Sequence, residues 1–327
     1  MVGYKPSGSA EIDKGQHRQL TKVDYGFAGA TSGVFTRACL QPLDVLKIRF
    51  QLQEEPMKRG VSTAKYNSIL QAAGSIIKEE GLQSLWKGHV PAQALSIIYG
   101  IAQFVTFEGL TYAAYPHLPK ELTTGVYKPV YHFVCGGVSG CVATLVSLPA
   151  DVLRTRLVSQ GEPKIYKSIS HALRSMYMEA GIRTFYKGLT PTMILLFPQT
   201  GFQFGFYGLF TRIWKKAQDM TDFHQLGGFQ SLLCGGLAGV CAKSGVYPLD
   251  VIKKRLQVQG FEEARRPFGR VTRYSGFLHC TTTIAKREGM RGLFRGLSPS
   301  LLKAFFSVGL NFAAYEKCCQ WLARADR

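Results

Sequence analysis

The sequence predicts an all-α membrane protein: six transmembrane helices in three pseudo-threefold repeats, each repeat carrying a short amphipathic helix on one side of the membrane. Three observations predict it. The strings Pro42-Leu-Asp44-Val-Leu-Lys47-Ile-Arg49, Pro149-Ala-Asp151-Val-Leu-Arg154-Thr-Arg156 and Pro248-Leu-Asp250-Val-Ile-Lys253-Lys-Arg255 are copies of one pattern, 107 and 99 residues apart. Self-similarity at a nearly fixed period marks a repeat architecture. A second landmark, aromatic-base-glycine, recurs as Trp86-Lys87-Gly88, Tyr186-Lys187-Gly188 and Phe294-Arg295-Gly296, at spacings of 100 and 108. Val90 to Phe107, Val130 to Ala150 and Gly188 to Thr211 are long uncharged stretches, close to the ~20 apolar residues that a bilayer-spanning helix needs.

The elements follow in order. Residues 1–23 are polar and mixed in charge, with neither the apolar core of a signal peptide nor an acid-poor transit helix, so any targeting signal is expected to be internal. Repeats are expected over 24–115, 128–217 and 228–322, together one domain. Each opens with an apolar helix bearing a glycine pair, Gly29 and Gly33, Gly136 and Gly140, Gly235 and Gly239, a spacing that lets membrane helices approach closely. The signature proline then removes one backbone hydrogen bond and bends the helix.

The first halves repeat at 107 and 99 and the second halves at 100 and 108, so the variable part lies between them, in Gln53 to Lys65 and Gly260 to Arg273. Tyr66, Tyr166 and Tyr274 each stand 22 residues before the closing glycine and open an amphipathic stretch, Ile69, Ala73 and Ile76 in the first repeat, the period of a surface helix. Pro91, Pro191 and Pro299 then lead into the second membrane helix. Two crossings per repeat give all three the same orientation, a ring about the membrane normal, and both termini on one side.

Forty Lys and Arg against 21 Asp and Glu give a net charge of +19, which suits nucleic acid, anionic lipid or anionic solutes. A basic helical-repeat protein that binds nucleic acid keeps its bases along one face and lacks uncharged spans, so no nucleic-acid partner is expected. The eight cysteines form no CxxC pair and mostly sit in apolar runs, the pattern of reduced packing residues. Neither GxSxG, HExxH nor GxxxxGK[ST] occurs and the seven histidines are dispersed, so neither an enzyme, a metal site nor a cofactor is expected.

The string Pro-x-Asp-x-x-[Lys/Arg]-x-[Lys/Arg], followed by Glu-Gly and aromatic-base-Gly, resembles the signature of the mitochondrial carrier family, three times over, from Asp24 to Leu322. The second copy departs at Ala180, where the family has an acid, with Glu179 adjacent. Within the family, IRFQLQ from Ile48, WKGHVPAQ from Trp86, HFVCGG from His132, QGEPK from Gln160 and GLSPSLLKA from Gly296 are similar to animal members that take thiamine pyrophosphate. The resemblance implies exchange of thiamine pyrophosphate against nucleotides by a monomer in the mitochondrial inner membrane, multi-pass, with both termini facing the intermembrane space. A carrier of adenine nucleotides, coenzyme A or another phosphorylated cofactor is the alternative.

Just past each bend an acid and a base stand three residues apart: Asp44 and Lys47, Asp151 and Arg154, Asp250 and Lys253. Charges at membrane depth are costly unless paired, so each acid is expected to pair with the base of a neighbouring repeat, forming a matrix gate. The resemblance implies that Gln51 and Gln257 brace this gate, while Val158 occupies the third place. On the opposite side Glu108 and Glu316 face Thr111 and Cys319, and Gly208 faces Thr211, so no base completes a second latch. A resting state shut on the matrix side is expected.

Five residues before each signature proline stand Arg37, Thr144 and Lys243; seven after each closing glycine stand Leu95, Leu195 and Lys303. Arg37, Lys243 and Lys303 are the expected ligands of a pyrophosphate, unless they snorkel or pair with local acids. A third triplet, Gln103, Gln203 and Asn311, either lines the lumen and reads a heterocycle or bonds helix to helix. Tyr99, Phe202 and Phe206 either stack on a ligand ring or pack. Amides at the starts of the even helices, at Gly88, Gly188 and Gly296, suit anionic headgroups, and the resemblance suggests cardiolipin.

Overall fold

The computed structural model describes residues 21–55, 64–114, 128–218, 228–268 and 271–324. Among these residues the chain forms nine α-helices and short 3-10 turns, with no strand. Six helices are long: α1 (Lys22–Leu52), α3 (His89–Ala114), α4 (Lys128–Ser159), α6 (Leu189–Ala217), α7 (Gly228–Gln257) and α9 (Leu297–Arg324). Three are short: α2 (Ile69–Glu80), α5 (Ile169–Ala180) and α8 (Phe277–Arg287). The order long, short, long occurs three times, as the sequence predicts. All but the end of the polar segment 1–23 lies outside the described residues.

Local chemistry sets the short helices. Ser68 and Ser168 cap the first two, each hydroxyl accepting the amide of the residue three positions on, Gln71 and His171, which satisfies one of the orphan donors of a helix start. Gly81 and Gly181 stop them at φ of 81° and 61°, backbone that costs a side-chain-bearing residue strain. Ala72 and Ile76, Ala172 and Met176, and Cys280 and Ile284 turn inward at equivalent places and are fully buried, each large side chain contributing about 1.5–3 kcal/mol. In the first repeat the deepest alanine is Ala72, one position before the Ala73 of the expected stripe, and Ala73 packs at the edge of the same cluster. Cys280 is held protonated, since burial pushes its thiol up to about 12.

The long helices run through Pro42, Pro149 and Pro248, and α6 carries a further internal proline, Pro198. Two stretches, Leu82–Ala113 and Phe133–Ser159, are long and apolar enough to cross a bilayer on length and composition alone. On α3, Val90, Ile97, Ile101, Phe104 and Val105 are each more than half exposed, an apolar surface that water would penalise and lipid accepts.

Residues Arg37–Val308 form one compact unit, in which α3 packs along α4 and α6 along α7. The expected close approach at the glycine pairs is absent there for Gly136 and Gly239, where an added Cβ would meet nothing within 4 Å; at Gly140 it would touch Leu196, at 3.5 Å, and at Gly235 it would just reach Tyr207, at 4.0 Å. Residues up to Thr36, with those from Gly309, form a separate unit. Its α1 start is fixed by Thr21, whose hydroxyl and amide both donate to Asp24, at 2.8 and 2.7 Å.

Candidate functional site

The charged ends of α1, α4 and α7 meet in a closed cycle. Arg154 donates to Asp44 at 2.6 Å, Lys253 lies 2.8 Å from Asp151, and Lys47 donates to Asp250 at 2.6 Å. Each acid thus takes the base of a different repeat, as membrane depth requires. Gln51 donates to Asp250 at 3.3 Å and to the Tyr247 hydroxyl at 3.1 Å, and Gln257 donates to Asp151 at 2.8 Å. The two expected braces are therefore both in place.

A second cycle lies one turn further on. Arg49, Arg156 and Arg255, the last bases of the three strings, pair with Glu80, Glu179 and Glu288. The departure at Ala180 is thereby explained: Glu179, one position earlier, reaches Arg156 at 2.5 Å. Each guanidinium also donates to carbonyls at the end of the next long helix, Arg49 to Val158, Arg156 to Gln257 and Arg255 to Gln51. Burial works against ionising Glu80 and Glu179, but hydrogen bonds from Arg49 and Lys87, and from Arg156 and Lys187, hold both carboxyls below their ordinary value. Tyr66, which accepts from Arg49, is buried, and its hydroxyl is pushed up to about 12.

The closing glycines touch this machinery. Gly88, Gly188 and Gly296 have φ of 75°, 80° and 80°. A Cβ on Gly88 would lie 2.8 Å from Val158, on Gly188 3.0 Å from Gln257, and on Gly296 2.9 Å from the Lys47 carbonyl. Their backbone angle and the neighbouring helix alone require glycine, so the residue type at these places is not a mark of a lipid headgroup.

Two features escaped the sequence reading. Lys254, 6% exposed, donates to Asp151 at 2.8 Å, to Thr155 at 2.9 Å and to Gln257 at 3.0 Å. Its equivalents are Ile48 and Thr155, and the doublet Lys253-Lys254 was its only signal. The second is a strap from the loop after α7. Arg265, 2% exposed, donates to the Leu52 carbonyl at 2.5 Å, and Ala264 accepts from the Gly161 amide at 3.4 Å. Phe261 stacks on Tyr166 with ring centroids 4.5 Å apart. Burial lowers the Arg265 guanidinium to about 10, with Glu54 opposing the shift.

The three expected phosphate ligands converge on the latch rather than standing apart from it. Lys303 donates to both oxygens of Asp44, at 2.7 Å each, the acid-paired alternative for this residue: with the cycle shut, Asp44 has a second face to offer. Arg37 donates to Gln93 at 3.2 Å and interacts with Asp44 and Arg154. Lys243 makes no ion pair among the described residues and lies in the field of Lys47, Asp250, Lys303 and Asp44.

Within Arg37–Val308 a cavity of about 640 Å³ is lined by Arg37, Tyr99, Thr144 and Gln203 of the expected site, with Ser96, Gln199 and Thr200, and its floor includes Asp151 and Lys253. Lys243, Lys303 and Gln103 are not among its lining residues, and Asn311 belongs to the other unit, so the expected amide triplet is represented there by Gln203 alone. Phe202 and Phe206 follow the packing reading. Their rings lie 6.2 Å apart along α6, as do those of Phe206 and Phe210, and Phe202 sits where a Cβ on Gly245 would be 3.1 Å away.

Comparison with known proteins agrees with this geometry. The family profile described as mitochondrial carrier protein matches residues 18–114, 125–218 and 224–326. The chain is 48% identical to the mitochondrial thiamine pyrophosphate carrier of Bos taurus, over 98% of this chain and 97% of that one. It is 48% identical to the protein of the same name from Homo sapiens, over 98% and 96%, and 37% identical to the mitochondrial thiamine diphosphate carrier 2 of Zea mays, over 96% and 98%. Three matched repeats, a closed cycle of cross-repeat ion pairs and relatives alike over nearly their whole length lead to one conclusion: the chain belongs to the mitochondrial carrier family, multi-pass transporters of the mitochondrial inner membrane.

Proposed function

We propose that this chain exchanges thiamine pyrophosphate across the mitochondrial inner membrane, with nucleotides as counter-substrates. The observation that carries the reading is near-full-length identity of 48% with relatives named as thiamine pyrophosphate carriers. The charge distribution supports it: Arg37, Lys243 and Lys303 share one electrostatic neighbourhood beside the latch, where a pyrophosphate finds more positive charge than Asp44 neutralises.

Coupling follows from Lys303. A phosphoryl group competes with Asp44 for that ammonium, and its loss weakens the hold on the acid that Arg154 clasps. Only an interaction that differs between two states shifts their balance, and this contact differs by construction. Exchange then follows from the empty carrier's intact cycle.

The protein works as a monomer with both termini in the intermembrane space. The first amides of α3, α6 and α9, which have no carbonyl within the helix, face the headgroups of an anionic lipid such as cardiolipin. Reconstituted protein loaded with ATP should take up labelled thiamine pyrophosphate, with competition by unlabelled thiamine pyrophosphate stronger than by ATP, deoxynucleotides or coenzyme A. Preferred uptake of a nucleotide or coenzyme A would replace the cargo and leave the family unchanged.

A further inference from the structure

Besides the phenol of Tyr99, five aliphatic hydroxyls line the cavity: Ser96 on α3, Thr144 and Ser147 on α4, and Thr192 and Thr200 on α6. A hydroxyl has one proton to give, and each of these five is committed to the helix that carries it. Ser96 donates to the Ala92 carbonyl at 3.2 Å, Thr144 to Gly140 at 2.7 Å and Ser147 to Thr144 at 3.4 Å. Thr192 donates to Gly188 at 2.6 Å and Thr200 to Leu196 at 2.9 Å. What these side chains leave for a ligand is lone pairs.

A surface of acceptors repels phosphoryl oxygens, which are acceptors only, and favours N–H groups. The charged donors are Arg37 and Lys253 in the lining, with Lys243 and Lys303 beyond it. The site is therefore polarised, with a cationic part suited to phosphate and a neutral part suited to a donor. Thr144, Ser147 and Thr192 are themselves buried, whereas Ser96 and Thr200 are only partly buried and sit on different helices.

We propose that Ser96 and Thr200 are specificity-determining residues that accept hydrogen bonds from an exocyclic amino group on the cargo's heterocycle, while Arg37, Lys243 and Lys303 hold its phosphoryl end. The assignment rests on the thiamine pyrophosphate reading, whose aminopyrimidine supplies such a group. It accounts for a cavity lined by five serine and threonine hydroxyls whose protons all go to their own helices. Gln199 and Gln203 can turn either amide end inward and add reach without choosing between donor and acceptor.

The test is competition for uptake in liposomes between thiamine pyrophosphate and oxythiamine pyrophosphate, in which an oxygen replaces the amino group. The native protein should prefer the amino compound by about tenfold, the worth of one well-placed hydrogen bond and one avoided acceptor clash. In Ser96→Ala/Thr200→Val the preference should shrink to about threefold or less, chiefly through weaker binding of thiamine pyrophosphate, whereas Thr200→Ser, which keeps the hydroxyl, should retain it. Equal competition in the native protein overturns the proposal whatever the variants do, and so does an unchanged preference in a folded double variant. If adenosine diphosphate is carried and thiamine pyrophosphate is not, the cargo reading fails alone, and adenosine against inosine diphosphate makes the same amino-to-oxygen comparison. Uptake only of anions that lack such an amine overturns both.

Discussion

Lys303 holds both carboxylate oxygens of Asp44 at 2.7 Å while Arg154 takes one of them at 2.6 Å. One acid therefore belongs at once to the latch and to the neighbourhood of the cargo. Lys303→Ala removes a cargo ligand and an Asp44 partner together. Uptake should fall at least about a hundredfold, because truncating one member of a desolvated, hydrogen-bonded charge pair costs about 2–5 kcal/mol. Lys303→Arg should recover part of the loss. Retention of full uptake by the alanine variant, with a native melting profile, would remove Lys303 from the site.

Lys254 gives the junction between the second and third repeats a partner that the other two junctions lack. Lys254→Ala leaves Lys253 and Gln257 on Asp151, so the latch should weaken and persist. Thermal unfolding in detergent should show a loss of about 2 kcal/mol, the scale of a hydrogen bond to a charged group, and Lys253→Ala should lose more. An engineered cysteine facing the matrix should also label faster in Lys254→Ala. A variant as stable as the native protein, with unchanged labelling, would show that the contact adds nothing.

The closing glycines predict a ranking. Gly296→Ala sets its methyl against a carbonyl oxygen, that of Lys47 at 2.9 Å, whereas Gly88→Ala meets first a side-chain methyl of Val158 at 2.8 Å. Backbone cannot yield as a side chain can, and both positions share the same unfavourable φ. Gly296→Ala should therefore lower the melting temperature more than Gly88→Ala, and both should lose at least about 1 kcal/mol. The reverse order would contradict the packing described.

Glu80 and Glu179 give the pH dependence its sign. Burial opposes their ionisation, but their arginine and lysine partners hold them below the ordinary value of 4.5. Stability from a carboxyl depressed on folding is present above the unfolded value and lost as pH falls through the folded one. Melting temperature in detergent should accordingly be level above about pH 5 and fall below it. Glu80→Gln/Glu179→Gln should start lower and show a shallower fall. An acid slope that the double variant leaves untouched would place its origin elsewhere.

Much of this was legible in the chain because threefold repetition turns one motif into three mutually constrained positions. That each acid takes the base of a neighbouring repeat follows from the cost of unpaired charge at depth, while the direction round the ring, Asp44 to Arg154, Asp151 to Lys253 and Asp250 to Lys47, is a matter of packing. What the sequence hid are the places where symmetry breaks. Lys254 sits at a slot filled by Ile48 and Thr155, so its side chain could only be assigned by seeing Asp151 beside it. Which acid Lys303 would meet was hidden because its partner, Asp44, is 259 residues away and already had an expected base. Gly136 and Gly239 carried a general packing signal, but open space surrounds them here, and tight contacts fall at the closing glycines Gly88, Gly188 and Gly296 instead.

The strap formed by Phe261, Ala264 and Arg265 gives the cycle a seam. One repeat's loop reaches the tail of α1 at Leu52 and the turn after α4 at Gly161, whereas the shorter loop of the second repeat reaches the first through Glu162, 3.8 Å from Lys87, and the Gln160 carbonyl, which accepts from Arg49. Parting those two ends means releasing the buried Arg265 guanidinium and separating Phe261 of the third repeat from Tyr166 of the second. The doorway therefore has a first edge and a last edge, an order of events that three identical motifs alone would never dictate.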